Sequence, residues 1–242
     1  MSVREVQHRV ALVTGAGSGI GRATAELLSS AGYSVALAGR REERLRETGS
    51  LLRGPWFAIG ADLSVAREVE GMVDQTLARF GRIDALVNNA GSSDAATIAE
   101  SSSEFITRVF ALNAIAPAIT IARAWPAMER RARNEGRGGV VVNVSSYATI
   151  DPFPTLYAYA AAKASVNLLA KSVANQGREL GIRGFAVAPG CVDTELLRKI
   201  VTEEQVPLAR RLRPEDVARV IVDCVEGKRD GENGSVILVP SP

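Results

Sequence analysis

Short apolar runs alternate with longer amphipathic stretches along almost the whole chain. The runs contain three to five residues, many of them β-branched, which is typical of buried strands; they cover residues 10–13, 35–38, 56–59, 85–87, 140–144, 185–188 and 235–239. The stretches between them repeat apolar residues at helical spacing. They predict helices over residues 23–31, 42–52, 65–80, 103–131, 157–180 and 214–226. Pro117 and Pro126 are expected to bend the fourth helix.

This alternation of strand and helix predicts the fold class. Parallel strands that are joined by helices form one sheet with helices on both faces, connected by right-handed crossovers. No low-complexity linker or internal repeat divides the 242 residues, so we expect a single α/β domain. In such sheets, ligands bind at the carboxyl ends of the strands.

Composition and charge exclude several classes of protein. The chain is 46% hydrophobic and has a net charge of +2, which favours a folded core and gives no nucleic-acid footprint. His8 is the sole histidine, so neither a histidine metal site nor a Ser-His-Asp relay is expected. Cys191 and Cys224 are too few for a disulfide framework or a zinc site. Residues 1–9 lack a signal-peptide core, and no apolar run approaches about eighteen residues, so we expect a soluble cytoplasmic protein without membrane contact.

The most distinctive chemistry lies in Tyr159-Ala-Ala-Ala-Lys163, with Ser146 thirteen positions upstream. On a helix, Tyr159 and Lys163 lie one turn apart, and we expect both to face outward. A nearby ammonium favours the phenolate and lowers the pKa of the phenol. Tyr159 could then exchange a proton with a carbonyl or alcohol oxygen that Ser146 holds. A helix start with an aromatic residue and a surface lysine would produce the same pattern.

A glycine-rich turn follows the first strand. Gly15, Gly19 and Gly21 would let the backbone approach a pyrophosphate at the N-terminus of the next helix. The spacing differs from the G-x-G-x-x-G pattern, and Arg22 follows rather than the Gly-Lys-Ser/Thr of a P-loop. A tight turn without any ligand would also use these glycines.

The ends of the second and third strands indicate the type of nucleotide. Arg40 and Arg41 stand where a carboxylate would bind a ribose 2′-hydroxyl, and arginines there can bind a 2′-phosphate. This favours NADP(H), with NAD(H) as the second option, although a solvated basic helix start would look alike. Asp62 could accept a hydrogen bond from adenine or cap the next helix, for which Ser64 is the better candidate.

Together these motifs resemble the short-chain dehydrogenase/reductase family, in the NADP-preferring subgroup with chains of about this length. The resemblance covers nearly the whole chain and rests on TGAGSGIG (14–21), Asp62, NNAG (88–91), Asn113, VNVSS ending at Ser146, YAAAK (159–163) and PGCVDT (189–194). It implies that residues 1–242 form one Rossmann-type domain that binds NAD(P), with a doubly wound parallel sheet. The substrate pocket would be built from the C-terminal third.

The resemblance also implies roles for individual residues. Tyr159 would be the acid/base, Ser146 would steady the substrate oxygen, and Lys163 would bind the nicotinamide ribose and lower the pKa of Tyr159. Asn113 would hold a water in the proton path. Cofactor contacts are implied for Gly15, Ser18, Gly19, Ile20, Gly21, Arg40, Arg41, Asp62, Leu63, Asn89, Ala90, Gly91, Tyr159, Lys163, Pro189, Gly190, Val192 and Thr194.

The implied reaction is hydride transfer between NADP(H) and a small-molecule carbonyl or alcohol. A 3-oxoacyl thioester, a sugar, a steroid and a small ketone are all candidate substrates, and the resemblance suggests a homodimer or homotetramer built on the helices near 103–131 and 157–180. A non-catalytic NADP-binding regulator on the same fold is the alternative. The complete set of catalytic residues argues against it.

Some positions depart from the family pattern or bear on the substrate. Gly184-Phe185 replaces a more frequent Val-Asn, and we expect an effect on packing only. The last strand is followed by Pro240-Ser241-Pro242 rather than paired glycines, which puts a tetramer contact through that strand in doubt. Tyr147, Phe153, Leu196 and Leu197 are expected to make an open pocket apolar, and Cys191 is expected to be a small residue near it.

Overall fold

The computed structural model describes residues 9–242, and the predicted elements occur there in the predicted order. Within that range the strands are β1 Val10–Thr14, β2 Ser34–Gly39, β3 Trp56–Gly60, β4 Ala85–Asn88, β5 Val140–Val144, β6 Arg183–Pro189 and β7 Val236–Val239. The helices are α1 Gly19–Ser30, α2 Glu42–Ser50, α3 Ala66–Phe80, α4 Ser103–Phe110, α5 Ala116–Glu135, α6 Tyr157–Gln176 and α7 Pro214–Val225. His8 lies outside the described residues, as does most of the stretch 1–9.

Over residues 9–242 the strands form one parallel sheet in the order β3-β2-β1-β4-β5-β6-β7. The predicted Rossmann-type parallel sheet is therefore confirmed. The order runs outward from β1 in one direction and from β4 in the other. The loops after β1 and β4 consequently diverge to opposite faces, and they leave a crevice at the carboxyl ends of the two strands.

The core lies on both faces of the sheet. Leu12 of β1 packs with α3 and α5, whereas its neighbour Val13 packs with α1 and α7, because successive strand residues point to opposite faces. Val141 and Val142 of β5 divide between the two layers in the same way. Since both faces are covered by helices, the strands are apolar throughout, which is why they were recognisable as continuous runs.

The predicted helix over 103–131 is more complex than expected. A π-helical turn, Ala111–Ile115, separates α4 from α5, Pro117 lies in the first turn of α5, and Pro126 lies inside it. The extra residue of a π turn changes which side chains face a neighbouring element, and such turns are frequent at functional sites. Here the turn contains Asn113, which is fully buried.

The same stretch qualifies the expectation about membranes. Ser103–Glu135 is long and apolar enough to cross a membrane by length and composition, contrary to the expectation that no apolar run approaches that length. In the fold, α5 packs against α3, and α4 packs against α6, so this stretch belongs to a helix layer on the sheet.

Several local expectations were wrong. Ser64 does not cap α3, since Val65 is the N-cap residue and provides no side-chain oxygen. Instead, Asp62 accepts hydrogen bonds from the backbone N–H of Ser64 at 2.9 Å and from its hydroxyl at 2.7 Å. The helix expected over 157–180 ends at Gln176, and a short 3₁₀ turn, Arg178–Leu180, follows.

The departure at Gly184 has a packing cause, as expected. A Cβ at Gly184 would lie 2.3 Å from the carbonyl oxygen of Ala170 in α6, so β6 and α6 approach each other through a missing side chain. The next residue, Phe185, is fully buried on the opposite face of the sheet.

We predict that Gly184→Ala lowers the free energy of unfolding by about 1–3 kcal/mol, because the new methyl group must push the backbone of α6 away. Gly71→Ala is the matched control: a Cβ at Gly71 in α3 meets nothing within 4 Å, so alanine should stabilise the helix by about 0.5–1 kcal/mol. Urea unfolding of both variants measures the difference. Shifts of the same sign would contradict the packing explanation.

Candidate active site

A cavity of about 1170 Å³ opens at the carboxyl ends of the strands, across the crevice between β1 and β4. Nearly all the residues that the sequence analysis selected line this cavity. They are Gly15, Ser18, Gly19, Ile20, Arg40, Arg41, Asp62, Leu63, Asn89, Ala90, Gly91, Ser146, Tyr159, Lys163, Pro189, Gly190, Val192 and Thr194. Gly21 and Asn113 are not part of the lining.

The turn after β1 is built from close backbone approaches. Gly15 and Gly19 have positive φ angles of 66° and 52°, which side-chain-bearing residues rarely adopt. A Cβ at Gly21 would lie 2.3 Å from the carbonyl oxygen of Gly15, so Gly21 serves the contact between α1 and its own turn. The first helical bond runs from Arg22 N–H to Ser18 O, and the preceding N–H groups at the start of α1 are oriented toward the cavity end of the helix.

Thr14 and Asn89 join the loops after β1 and β4. The Thr14 hydroxyl oxygen accepts hydrogen bonds from the backbone N–H groups of Asn89 and Ala90, both at 3.0 Å. The Asn89 side-chain amide donates to Thr14 O at 2.9 Å. Thr14 was missed as a site residue, although its place at the start of TGAGSGIG could have drawn attention to it. These bonds set the width of the crevice between the two strands.

Tyr159 and Lys163 point inward, whereas their positions in the sequence led us to expect that both would face outward. Only 8% of Tyr159 and 3% of Lys163 is exposed, because this side of α6 packs against the sheet beneath the cavity. The Lys163 ammonium donates a hydrogen bond to the carbonyl oxygen of Val144 at 2.7 Å, at the end of β5. It lies 5.9 Å from the centroid of the Tyr159 ring.

The pKa of Tyr159 also differs from the expectation, which was that the nearby ammonium would lower it. Burial raises the pKa of Tyr159, and a hydrogen bond from Ser146 opposes this rise only in part. Burial lowers the pKa of Lys163 from its ordinary value near 10.5 to about 8. Removal from water therefore dominates the pKa of both groups, and Tyr159 is a neutral phenol, hence a proton donor, at neutral pH.

Ser146 is held at the start of a short turn, Tyr147–Thr149. Its hydroxyl oxygen accepts a hydrogen bond from Ala148 N–H at 3.1 Å. The hydroxyl proton remains available for donation toward Tyr159 or toward a ligand oxygen beside it.

Asn113 fixes the back of the site through its π turn. Its side-chain amide donates to Val109 O at 2.9 Å and to Ser92 O at 3.0 Å, and its oxygen accepts from Ser92 N–H at 3.3 Å. A Cβ at Gly91 would lie 2.7 Å from the Asn113 oxygen and 3.3 Å from the Lys163 ammonium. Glycine at this position therefore lets the loop after β4 lie against both polar groups.

One end of the cavity is basic. Arg40, the residue directly after β2, is exposed at its rim. Arg41 forms an ion pair with Glu195 at 3.3 Å, across the cavity opening. The hydrogen bonds from Ser64 and then the charge of Arg40 hold the pKa of Asp62 below its usual range. Arg44 also lines this end and was missed, because the helical pattern of 42–52 explained it.

The other end of the cavity combines apolar side chains with the charged residues Asp94, Arg108, Asp151 and Lys199. Its lining includes the expected Tyr147, Phe153, Leu196 and Leu197, together with Leu156 and Ile200, which were missed. Cys191 also lines the cavity, and burial raises the pKa of its thiol, which disfavours a nucleophilic thiolate. Among residues 9–242, no three histidine, cysteine, aspartate or glutamate residues form a group that could hold a metal ion.

Sequence comparisons relate the chain to known oxidoreductases. The family model for short chain dehydrogenase matches residues 9–205. An uncharacterized oxidoreductase from Thermotoga maritima is 33% identical over 250 residues, which covers 96% of each chain. The short chain dehydrogenase/reductase astE from Aspergillus oryzae is 32% identical over 251 residues, covering 98% of this chain and 95% of the relative.

Solved structures share the whole architecture. Levodione reductase matches with a TM-score of 0.89 and 26% identity, over 96% of both chains. A 3-ketoacyl-(acyl-carrier-protein) reductase from Brucella melitensis, solved in complex with NADH, also matches with a TM-score of 0.89 and 26% identity, over 98% of both chains. The likeness therefore extends over nearly the whole chain.

Removal of the buried ammonium should reveal its energetic cost. We predict that Lys163→Met raises the free energy of unfolding at pH 7 by about 1–3 kcal/mol, because burying a charge costs more than the bond to Val144 returns. Between pH 8 and pH 10.5 the folded parent has released the Lys163 proton and the unfolded chain still holds it. The parent therefore gains stability as pH rises through this window, and the advantage of the variant shrinks.

Denaturant unfolding from pH 7 to pH 10.5 measures that trend. Lys171→Met removes a lysine from the exposed side of the same helix and serves as the control. A stability difference between Lys163→Met and the parent that stays constant with pH would contradict the assigned shift.

Proposed function

This chain belongs to the short chain dehydrogenase family and is a nicotinamide-nucleotide-dependent oxidoreductase, and from that premise we propose that it transfers a hydride between NADP(H) and a carbonyl/alcohol pair with Ser146, Tyr159 and Lys163 as its acid–base group. The observation that carries this proposal is the buried phenol of Tyr159. Burial keeps the phenol protonated, Ser146 lies within hydrogen-bonding reach, and Lys163 stands beside it on the cavity floor.

The residues around the cavity fit a dinucleotide. The glycine turn after β1 and the start of α1 offer close backbone approach and N–H groups for a pyrophosphate. Asp62 and Leu63 would lie at the adenine, the loop 89–91 along the centre, and Val192 and Thr194 at the nicotinamide end. When bound, the cofactor supplies or accepts the hydride at the substrate carbon.

The protein supplies the proton and the orientation. Tyr159 gives its proton to the substrate oxygen during reduction and takes one from the alcohol during oxidation. Ser146 donates a hydrogen bond to the same oxygen, while Lys163 keeps a positive charge near the phenol below pH 8. Asn113 anchors the loop behind Lys163 and would hold the water that returns protons to Tyr159.

The cofactor is NADP(H) in preference to NAD(H). Arg40 is exposed at the basic end of the cavity, where it can meet a 2′-phosphate directly. Arg41 is partly engaged by Glu195, so Arg40 has the larger share of this selection. The charge of Arg40 contributes to the lowered pKa of Asp62, but the carboxylate of Asp62 already accepts two hydrogen bonds from Ser64.

The substrate is a carbonyl compound or alcohol whose groups next to the reacting carbon are apolar. Phe153 and Tyr147 leave 47% and 37% of their surface exposed on the side of the cavity beyond Tyr159, where they can cover such groups. Removing apolar surface from water favours binding by about 25 cal/mol per Å².

We place the protein in the cytoplasm, as a homodimer or homotetramer that contacts neither nucleic acid nor membrane. Ile106 and Ile115 in the α4–α5 stretch and Leu168 in α6 are exposed apolar residues that a second copy would cover.

Tyr159→Phe tests the catalytic assignment. The variant is expected to lose turnover of carbonyl substrates by at least about 100-fold, because the proton donor is gone, while NADPH affinity changes little. Tyr157→Phe is the matched control on the same helix and should retain turnover. The rate is followed at the nicotinamide absorbance band, and affinity by equilibrium titration. Full activity in Tyr159→Phe, or a protein that binds NADPH with no turnover to lose, would refute the mechanism.

Arg40→Ala tests the choice of cofactor. Loss of a charge-assisted contact with the 2′-phosphate should weaken NADPH binding about tenfold and leave NADH binding unchanged. Arg46→Ala is the control, because Arg46 is an exposed arginine of α2 that pairs with Glu42. Equal NADPH affinity in Arg40→Ala and the parent would disprove the assignment.

A further inference from the structure

The segment that follows β6 is tied to residues beyond β7 by one side chain. Gly190 N–H donates to Val239 O at 2.9 Å, which continues the pairing of the two strands. The next backbone donor, Cys191 N–H, reaches the Ser241 hydroxyl oxygen at 2.8 Å. Successive N–H groups of a strand point to opposite sides, so strand pairing with β7 provides no carbonyl for Cys191 N–H, and the Ser241 hydroxyl is its acceptor.

Ser241 lies very close to this segment and also lines the cavity. A Cβ at Gly190 would lie 2.6 Å from the Ser241 hydroxyl oxygen and 3.0 Å from its backbone nitrogen. The Cys191 carbonyl accepts from Leu212 N–H at 2.8 Å, and the Ser241 hydroxyl lies 3.5 Å from it. The strong bond of this serine is therefore the one from Cys191 N–H.

The residues after Cys191 connect it to the part of the cavity that faces the glycine turn. Val192 is paired with Leu212, and Asp193 N–H donates to Leu212 O at 2.9 Å, so Leu212 holds one side of the segment. Thr194 reaches the glycine turn opposite, where its methyl carbon would lie 3.0 Å from a Cβ at Gly19. A shift at Cys191 would therefore be transmitted to Val192 and Thr194.

We propose that Ser241 is a positioning residue for the nicotinamide end of the cofactor: its bond to Cys191 N–H holds Val192 and Thr194 in the place where they meet the ring. The inference rests on the proposed function, which puts the nicotinamide at these two residues. The adenosine end depends on Arg40 and Asp62, which lie in the loops after β2 and β3 and should not respond.

The experiment compares Ser241→Ala, Ser241→Thr and the parent with two ligands. NADPH spans the whole cavity, whereas 2′,5′-ADP has the adenosine end and lacks the nicotinamide. Ser241→Ala is expected to raise the Kd of NADPH about threefold to tenfold, the worth of one neutral hydrogen bond, and to leave the Kd of 2′,5′-ADP unchanged. Ser241→Thr keeps the hydroxyl and should restore the NADPH affinity.

Hydrogen exchange of the Cys191 amide in the ligand-free protein gives a second readout, and it should become faster in Ser241→Ala. Ser235→Ala, at the exposed residue that precedes β7, controls for the loss of a serine and should change neither quantity. If Ser241→Ala raised the Kd of both ligands equally, or left the Kd of NADPH unchanged, the role of Ser241 would be refuted while the proposed function would stand. A parent protein that binds 2′,5′-ADP but gains nothing from the nicotinamide would overturn the proposed function and the inference together.

Discussion

The burial of Lys163 is the constraint on which the rest of the site depends. An ammonium removed from water costs several kcal/mol unless polar groups replace the lost hydration. Here the Val144 carbonyl accepts its hydrogen bond, and the missing side chain of Gly91 lets the loop after β4 come close. The end of β5, the loop after β4 and one face of α6 must therefore converge on a single atom, which fixes the floor of the cavity.

The same burial decides the protonation state of the site. An ammonium near a phenol lowers the phenol's pKa, whereas a dry environment raises it, and in this fold the environment prevails for Tyr159. The dry environment also makes Lys163 easier to deprotonate. At neutral pH Tyr159 is therefore a neutral phenol, and Lys163 is an ammonium whose pKa lies only a little above the pH. This pair is suited to donating a proton to a carbonyl oxygen.

Close backbone contacts shape the remainder of the crevice. The turn after β1 is closed by the contact between Gly21 and Gly15. Hydrogen bonds between Thr14 and Asn89 join the loop after β4 to this turn. These contacts leave a cavity with a basic end at Arg40 and an end that combines apolar and charged side chains on the other side of Tyr159. The loops after several strands therefore line one continuous space.

Sequence by itself determined the order of the elements and the set of loops that meet, because strands buried on both faces are apolar without interruption and parallel strand ends share one edge. It did not determine that Tyr159 and Lys163 point inward, since helical spacing puts them on one side without saying which side meets the sheet. The π turn around Asn113 and the bond from Cys191 to Ser241 were equally hidden. Each depends on residues distant along the chain whose contact exists only after packing, and the local periodicity of the sequence carries no record of such contacts.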